Sequence, residues 1–311
     1  MPGAAAPIAA PIAAPIAAPI ASSIAASNAT DGPPHGDADA LIDFVRRHPR
    51  LLVLTGAGIS TDSGIPGYRD ADGNWRASTP IQHREFLESH ARRQRYWARS
   101  MVGWPIMSRA LPNDAHRALA RLQQAGHVEA LVTQNVDGLH QAAGSTGVIE
   151  LHGSLASVVC LACGERHPRG EIQRELEAAN PAIAGLSAVP SADGDAHLEP
   201  DDLHGFTVPH CRRCAGVIKP DVVFFGDSVP RDRVARVREA LTRADALLVV
   251  GSSLMVYSGY RFCVAAAQAG KPVVAINLGR TRADPLLTMK IAAPCGATLT
   301  RLDAALRNIA A

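Results

Sequence analysis

Two cysteine pairs, one histidine closing an apolar run and one glycine-punctuated loop are the residues of this chain best suited to chemistry. Cys160 and Cys163 are spaced to put two thiolates on one tight turn, and Cys211 and Cys214 repeat the spacing. Together they supply the four sulfurs of a closed, tetrahedral zinc site, which leaves no open position and is therefore structural. The gap between Cys163 and Cys211 exceeds the usual ribbon spacing of about 15–20 residues, so the intervening chain must form an insertion. Free buried cysteines and a redox pair are the alternatives, and the duplication favours metal. Disulfides are not expected without a secretory signal. Cys263 sits in an Ala-rich helical stretch and reads as core. Cys295 precedes Gly296 near a late strand and reads as a pocket edge.

His152 ends the run Val148-Ile149-Glu150-Leu151, close before the first cysteine. An imidazole there can take a proton near neutral pH. It can equally be a hydrogen-bonded strand-end residue, and position alone serves either reading. His167, His197, His204 and His210 lie in or beside the insertion, spaced too irregularly for a second metal site.

The loop follows the apolar run 51–54. Gly56, Ala57 and Gly58 come first, then polar chain through Tyr68, Arg69 and Asp70. A strand entering such a turn can set backbone N–H groups against a pyrophosphate. The dinucleotide fingerprint is incomplete, since position 61 is Thr. A long polar loop in its place suggests a site that holds a dinucleotide and acts upon it.

The elements that must position these groups are legible as alternating patterns. Strands are expected at 51–55, 130–133, 148–151, 222–225, 246–251 and 272–277. Helices are expected at 40–48, 80–102, 113–125, 231–244 and 259–268. This is the pattern of an α/β fold, a mostly parallel sheet with helices on both faces. Ligands collect at the carboxyl ends of such strands. Polar loops at 55–60, 133–137, 251–253 and 277–279 stand there in phase, as the rim of one pocket. The 180–210 stretch, rich in Ala, Pro, Gly, Asp and His, reads as a long surface loop.

Composition narrows the partners. A net charge of +2 over 311 residues offers no electrostatic footprint for nucleic acid or membrane. No apolar run approaches the roughly 20 residues of a membrane span. The first residues repeat PIAA, with Pro7, Pro11, Pro15 and Pro19. Proline at that frequency prevents a helix and the small side chains bury little, so 1–39 reads as a disordered tail. The first positive side chain is Arg46, which leaves targeting peptides unsupported. The expected location is cytoplasmic.

Taken in order, GAGIST, SGIPGYRD, TQNVDGLH, ELHGS, the two CxxC pairs, KPDVVFFGD, GSSLMVYS and AINLG resemble the sirtuins, the NAD-dependent protein deacylases. The resemblance spans 40–310. RQRYWARSMVGWP, CGERHPRGEIQ and KPDVVFFGDSVP are similar to the class II branch that includes the mitochondrial-type lipoamidase and deacylase. It implies a Rossmann-like body at 40–155 and 217–311 with an inserted small zinc-binding domain at about 156–216. NAD and an acylated lysine of a protein substrate would meet in the cleft between them, in a monomer, with one structural Zn2+.

By motif, Gly56, Ala57 and Gly58 would approach the pyrophosphate. Thr61, Asp62, Tyr68 and Arg69 would belong to a flexible cofactor loop at 61–69. Gln134, Asn135 and Asp137 would line the ribose and nicotinamide pockets. Gly251, Ser252 and Ser253 would hold phosphate or ribose, while Asn277, Gly279 and Cys295 would edge the adenosine. Phe225 and Gly226 on one side, Val256 and Tyr257 on the other, would flank the peptide as strands. His152 would be the general base. The implied products are free lysine, nicotinamide and O-acyl-ADP-ribose. Mono-ADP-ribosyl transfer to protein would use the same pocket and is the alternative.

Gly67 and Tyr68 depart from the Asp and Phe of many relatives. Tyr96-x2-Arg99 places two side chains on one helix face. The same spacing binds acidic acyl chains in the desuccinylase branch, and a solvated helix face is the other reading. A preference for acyl groups larger than acetyl is expected.

Overall fold

The computed structural model describes residues 32–70, 80–186, 196, 203 and 205–307. The PIAA repeat, His197, His204 and most of the tip of the 180–210 loop lie outside the described residues. Ordered chain starts earlier than the expected residue 40. The Gly36 N–H donates to the Lys290 carbonyl at 2.9 Å, the Lys290 N–H donates to Pro34 at 2.8 Å, and helix α1 (Ala38–Arg47) follows, capped by Asp37.

Six strands form one parallel sheet: β1 (Leu51–Thr55), β2 (Val128–Thr133), β3 (Ile149–Glu150), β7 (Ala246–Val250), β8 (Val273–Ile276) and β9 (Met289–Ile291). Their spatial order is β3-β2-β1-β7-β8-β9. All pairings are parallel. β1 and β7 are buried at every position, as expected for strands covered on both faces. One face carries α1, α4 (Asp114–Gln124) and α10 (Cys295–Arg307) over Leu51, Val53 and Leu248. The other carries α8 (Arg231–Arg243) and α9 (Tyr257–Gln268) over Leu52, Leu54 and Val249. Chain order reverses between β1 and β7, which opens a crevice at their carboxyl ends.

The expected strand at 222–225 is instead β6 (Ile218–Val222), and it belongs to a second sheet. There β4 (Gly153–Cys160) lies between β5 (Arg166–Pro168) and β6, antiparallel to both. Gly153 enters β4 at φ +87°, and a Cβ there would stand within bond-like distance of the Asp221 carbonyl. Only glycine lets the chain cross into the second sheet at that point. α6 (Arg169–Ala179) and the short α7 (Pro181–Ala184) complete the insertion.

The single helix expected at 80–102 is two, α2 (His83–Glu88) and α3 (His90–Arg109). Ser89 is extended, with φ −116° and ψ 119°, and its hydroxyl caps α3 by accepting from the Arg92 N–H at 3.3 Å. Phe86, Tyr96, Trp97 and Met101 pack with Val158, Ile172, Leu176 and Ile218. The core beneath the insertion is thus shared with α2 and α3. The helix expected at 259–268 begins two residues earlier, at Tyr257.

Candidate active site

A cavity of about 1100 Å3 opens at the crevice. It lies just above the roughly 300–1,000 Å3 usual for small-molecule sites, which suits two ligands meeting in one place. The loop after β1 contributes Gly56, Ala57, Gly58, Thr61, Asp62, Tyr68 and Arg69. The loop after β2 adds Gln134 and Asn135, and the loop after β7 adds Gly251, Ser252 and Ser253. Asn277 and Gly279 follow β8, and Cys295 closes that end at the start of α10. His152, Tyr96, Phe225, Gly226, Val256 and Tyr257 line the rest. Among the residues the sequence offers for NAD and peptide, Asp137 and Arg99 do not line it.

Gly56 and Gly58 are required for a reason the fingerprint does not show. A Cβ on Gly58 would stand 2.8 Å from the Gly251 carbonyl oxygen, and one on Gly56 would stand 2.7 Å from Ser252 Cβ. The Gly58 N–H donates to that same carbonyl at 2.8 Å. The two loops at the switch point therefore touch backbone to backbone. At Gly67, among the described residues, a Cβ would meet only the Arg69 carbonyl at 3.7 Å, an ordinary contact. Residues 57–59 and 61–63 form two short 3-10 turns rather than open loop. Asn113, the cap of α4, pins them by donating to the Ile59 carbonyl at 2.7 Å and to Ser63 Oγ at 3.0 Å.

The polar groups of the rim hold one another. Gln134 Nε2 donates to Ser252 Oγ at 2.8 Å. Asn135 Nδ2 donates to the Gly56 carbonyl at 3.1 Å and to Ser60 Oγ at 3.0 Å. Ser60 Oγ donates in turn to Asp137 Oδ2 at 2.7 Å, and Asp137 Oδ1 accepts from the Leu139 N–H at 3.0 Å. Asp137 thus stands one layer behind the wall, reached through Ser60 and Asn135. Below them, Thr55 Oγ1 donates to Thr133 Oγ1 and pairs with His140 Nε2, both at 2.9 Å. Burial pushes the His140 imidazole down to about 3 and that of His116, whose ring centroid is 4.8 Å away, down to about 4.

His152 stands between the two sheets, at the start of the crossing into β4. Nδ1 lies 2.8 Å from the Gln134 carbonyl oxygen and Nε2 lies 2.7 Å from Ser258 Oγ. Burial lowers its pKa to about 4; the Gln134 hydrogen bond works against this, and Arg233 and Arg261 add to it. At neutral pH the ring is uncharged, as a proton acceptor must be. Cys295 is a poor nucleophile by contrast, since burial and Asp62 push its thiol up to about 12.

The four cysteines converge as their spacing requires. The Cys160 and Cys214 sulfurs are 3.5 Å apart, those of Cys163 and Cys211 3.7 Å, and all four lie within 4.8 Å of one another. A tetrahedral zinc with bonds of about 2.3 Å sets its sulfurs about 3.8 Å apart, so the cluster fits the ion. Backbone N–H groups of Cys163 and Ala162 point at the Cys160 sulfur and lower that thiol to about 6, while the crowded neighbouring sulfurs help raise those of Cys163 and Cys214. His167 is buried with Nε2 3.8 Å from the Cys211 sulfur. Among the described residues no second metal cluster forms.

Tyr96 forms cavity wall, while Arg99 is buried and its Nε donates to the Ala196 carbonyl at 2.7 Å. The pair shares a helix face, but Arg99 is turned to the insertion. Phe225 and Val256 are not in strands: Phe225 makes one bridge to Gln82, and Val256 caps α9. Ser60, Asn113 and Ser258 were not selected from sequence. Asn113 had a signal, as an N-cap residue at the head of an apolar-periodic helix. Ser60 and Ser258 fall within the GAGIST and GSSLMVYS stretches, but nothing local assigns them a role, because their partners are remote in the chain.

The Sir2 family profile matches residues 56–258. A Bordetella bronchiseptica protein named NAD-dependent protein deacetylase is 57% identical over 266 residues, covering 86% of this chain and 97% of that protein. NAD-dependent protein deacetylase 2 of Bradyrhizobium diazoefficiens is 55% identical over 263 residues, covering 85% and 96%. A solved complex of Sir2 with a p53 peptide and NAD+ superposes with a TM-score of 0.72 at 30% identity, covering 88% of this chain and 100% of that one. A Sir2 homologue in complex with NAD gives 0.68 at 28% identity, covering 91% and 98%. With the switch-point cavity, the buried imidazole and the four-sulfur cluster already in place, this chain belongs to the Sir2 family.

Proposed function

We propose that the chain is an NAD-dependent protein lysine deacetylase that consumes NAD as co-substrate. The observation that carries this reading is His152, which shares one cavity with the glycine-rich loop and with residues 225–226 and 256–257. The pyrophosphate would lie on Gly56–Gly58 and Ser252–Ser253, with the adenosine toward Asn277, Gly279 and Cys295. Gln134 and Asn135 would meet the nicotinamide riboside, with Asp137 holding them through Ser60. The acyl-lysine would enter between Phe225 and Val256.

Nicotinamide leaves as the acyl oxygen bonds to the anomeric carbon. His152 Nε2 takes a proton from the adjacent ribose hydroxyl, whose oxygen then attacks the imidate carbon. Water completes release of lysine and O-acyl-ADP-ribose. Tyr68 would shield the anomeric carbon from premature hydrolysis. The zinc, held by Cys160, Cys163, Cys211 and Cys214, would fasten the insertion and take no part in the reaction.

The finer reading is a preference for acyl groups larger than acetyl, as in the branch with the RQRYWARSMVGWP stretch. Tyr96 in the wall and the size of the cavity support it. Arg99 serves in this reading to hold the insertion against α3. Catalytic efficiencies on acetyl-, glutaryl- and lipoyl-lysine peptides test the point, and a clear preference for acetyl contradicts it. For the reaction itself, His152→Ala should abolish NAD-dependent deacylation with zinc and fold retained. Deacylation surviving in that variant would remove His152 from its role.

A further inference from the structure

The reactive nitrogen of His152 is already engaged. A carbonyl oxygen only accepts, so the 2.8 Å contact with Gln134 fixes the proton on Nδ1. In the neutral ring Nε2 then carries a single in-plane lone pair. Ser258 Oγ, 2.7 Å away, donates its proton into that pair. A ribose hydroxyl therefore cannot reach the lone pair without moving Ser258 or passing through it.

Moving the helix turn that carries it is costly. Ser258 is buried and stands in the first turn of α9. Its neighbour Gly259 packs so closely on Gln134 that a Cβ would lie 2.7 Å from Gln134 Oε1. The residue whose carbonyl holds the imidazole thus also seats the helix turn that carries the hydroxyl. Passing through it is easy. A serine hydroxyl has one donor and two acceptor positions. The donor is spent on Nε2, and no other hydrogen bond to Ser258 Oγ occurs among the described residues. Ser258 also lines the cavity.

We propose that Ser258 is a proton-relay residue between the ribose hydroxyl of the co-substrate and His152. The inference rests on the reading of His152 as general base. As the ribose oxygen bonds to the imidate carbon, its proton passes to Ser258 Oγ while the Ser258 proton passes to Nε2. Ser258 ends as it began. The positive charge resides on the imidazolium, whose Nδ1–H still donates to Gln134. Burial keeps the resting ring neutral, and Arg261, one turn further on α9 and lining the same cavity, adds to this.

The test compares wild type, Ser258→Ala, Ser258→Thr and His152→Ala on an acetyl-lysine peptide with NAD. The readouts are steady-state deacylation, exchange of labelled nicotinamide into NAD, and rate against deuterium content of the solvent. Exchange reports the step before the relay. Ser258→Ala should lose about 10- to 100-fold in kcat. That is less than the full contribution of a general base, because water can stand in. Its KM values and its nicotinamide exchange should stay near wild type, and Ser258→Thr should recover most of the rate. The dependence on deuterium fraction should be bowl-shaped in wild type, with two protons in flight, and changed in Ser258→Ala. A Ser258→Ala enzyme as fast as wild type or faster would overturn the relay and make Ser258 a plug. Exchange falling in step with deacylation would overturn it in favour of a structural role. Deacylation retained by His152→Ala would instead defeat the underlying assignment of the base, whatever Ser258→Ala does.

Discussion

At the scale of single residues, the chemistry turns on the environment of one imidazole. A histidine in water titrates near 6.5, and burial takes His152 to about 4. The sign follows directly: the ring stays neutral and competent down through pH 6 and protonates only near its lowered value. Single-turnover deacylation should therefore be flat from pH 8 to pH 6, with no acid limb at the usual histidine position. A limb centred near 6.5, in enzyme shown to be folded, would contradict the assigned environment. Gly58 makes a second residue-scale case. Gly58→Ala must push a Cβ against the Gly251 carbonyl, so a loss of about 1–3 kcal/mol in stability is expected, with weakened NAD binding. Denaturant midpoints check the first part and calorimetry the second. The cysteine cluster was legible as a local pattern, and His152 only through the ELHGS stretch, since its position served either reading. Ser258 was not, since its contact with His152 joins residues 106 apart in sequence. Asp137 was expected in the pocket wall and stands instead behind Ser60 and Asn135, a displacement that its motif does not show.

At the scale of elements, the parallel strands were the most readable part. β1 and β7 are short, continuous apolar runs with no competing period. The small sheet was much less so. β4 alternates irregularly, because one of its faces meets α6 and its register with β6 shifts between Gly153 and Val158. The run at 222–225 is as apolar as a strand but turns inward at Phe224, and the pairing partner of β4 is the more polar stretch before it. α2 and α3 read as one helix because no Gly or Pro marks the break at Ser89, where the extended backbone and the bond from the Arg92 N–H end one helix and cap the next. The insertion has a modest core of its own, so the zinc cluster should carry much of its stability. Cys160→Ser is expected to release the metal and to expose the 160–216 region to proteolysis, leaving α4 and α10 protected. Zinc content by atomic spectroscopy and limited digestion followed by mass spectrometry give the answer. Full zinc retained in Cys160→Ser would show that the four-sulfur site is misassigned.

At the scale of the whole molecule, stability and chemistry are coupled through buried histidines. His116, His140 and His152 all have lowered pKa values, at about 4, 3 and 4, each chiefly from burial. Above about pH 6.5 these rings are neutral in both folded and unfolded chains and make no difference. Below it the unfolded chain takes up protons first, so stability should fall as pH drops from 7 toward 5. Each histidine contributes at most about 1.4 kcal/mol per pH unit, about 4 kcal/mol per unit for the three together. A urea midpoint unchanged between pH 7 and pH 5 would contradict that burial. The central claim concerns what the cavity does with two ligands at once. The most direct measurement is mass spectrometry of an acetyl-lysine peptide incubated with the protein, with and without NAD. The predicted result is NAD-dependent loss of the acetyl group, with equal amounts of nicotinamide and O-acetyl-ADP-ribose. An acetyl group retained in the presence of NAD, or ADP-ribose appearing on the protein in its place, would contradict it.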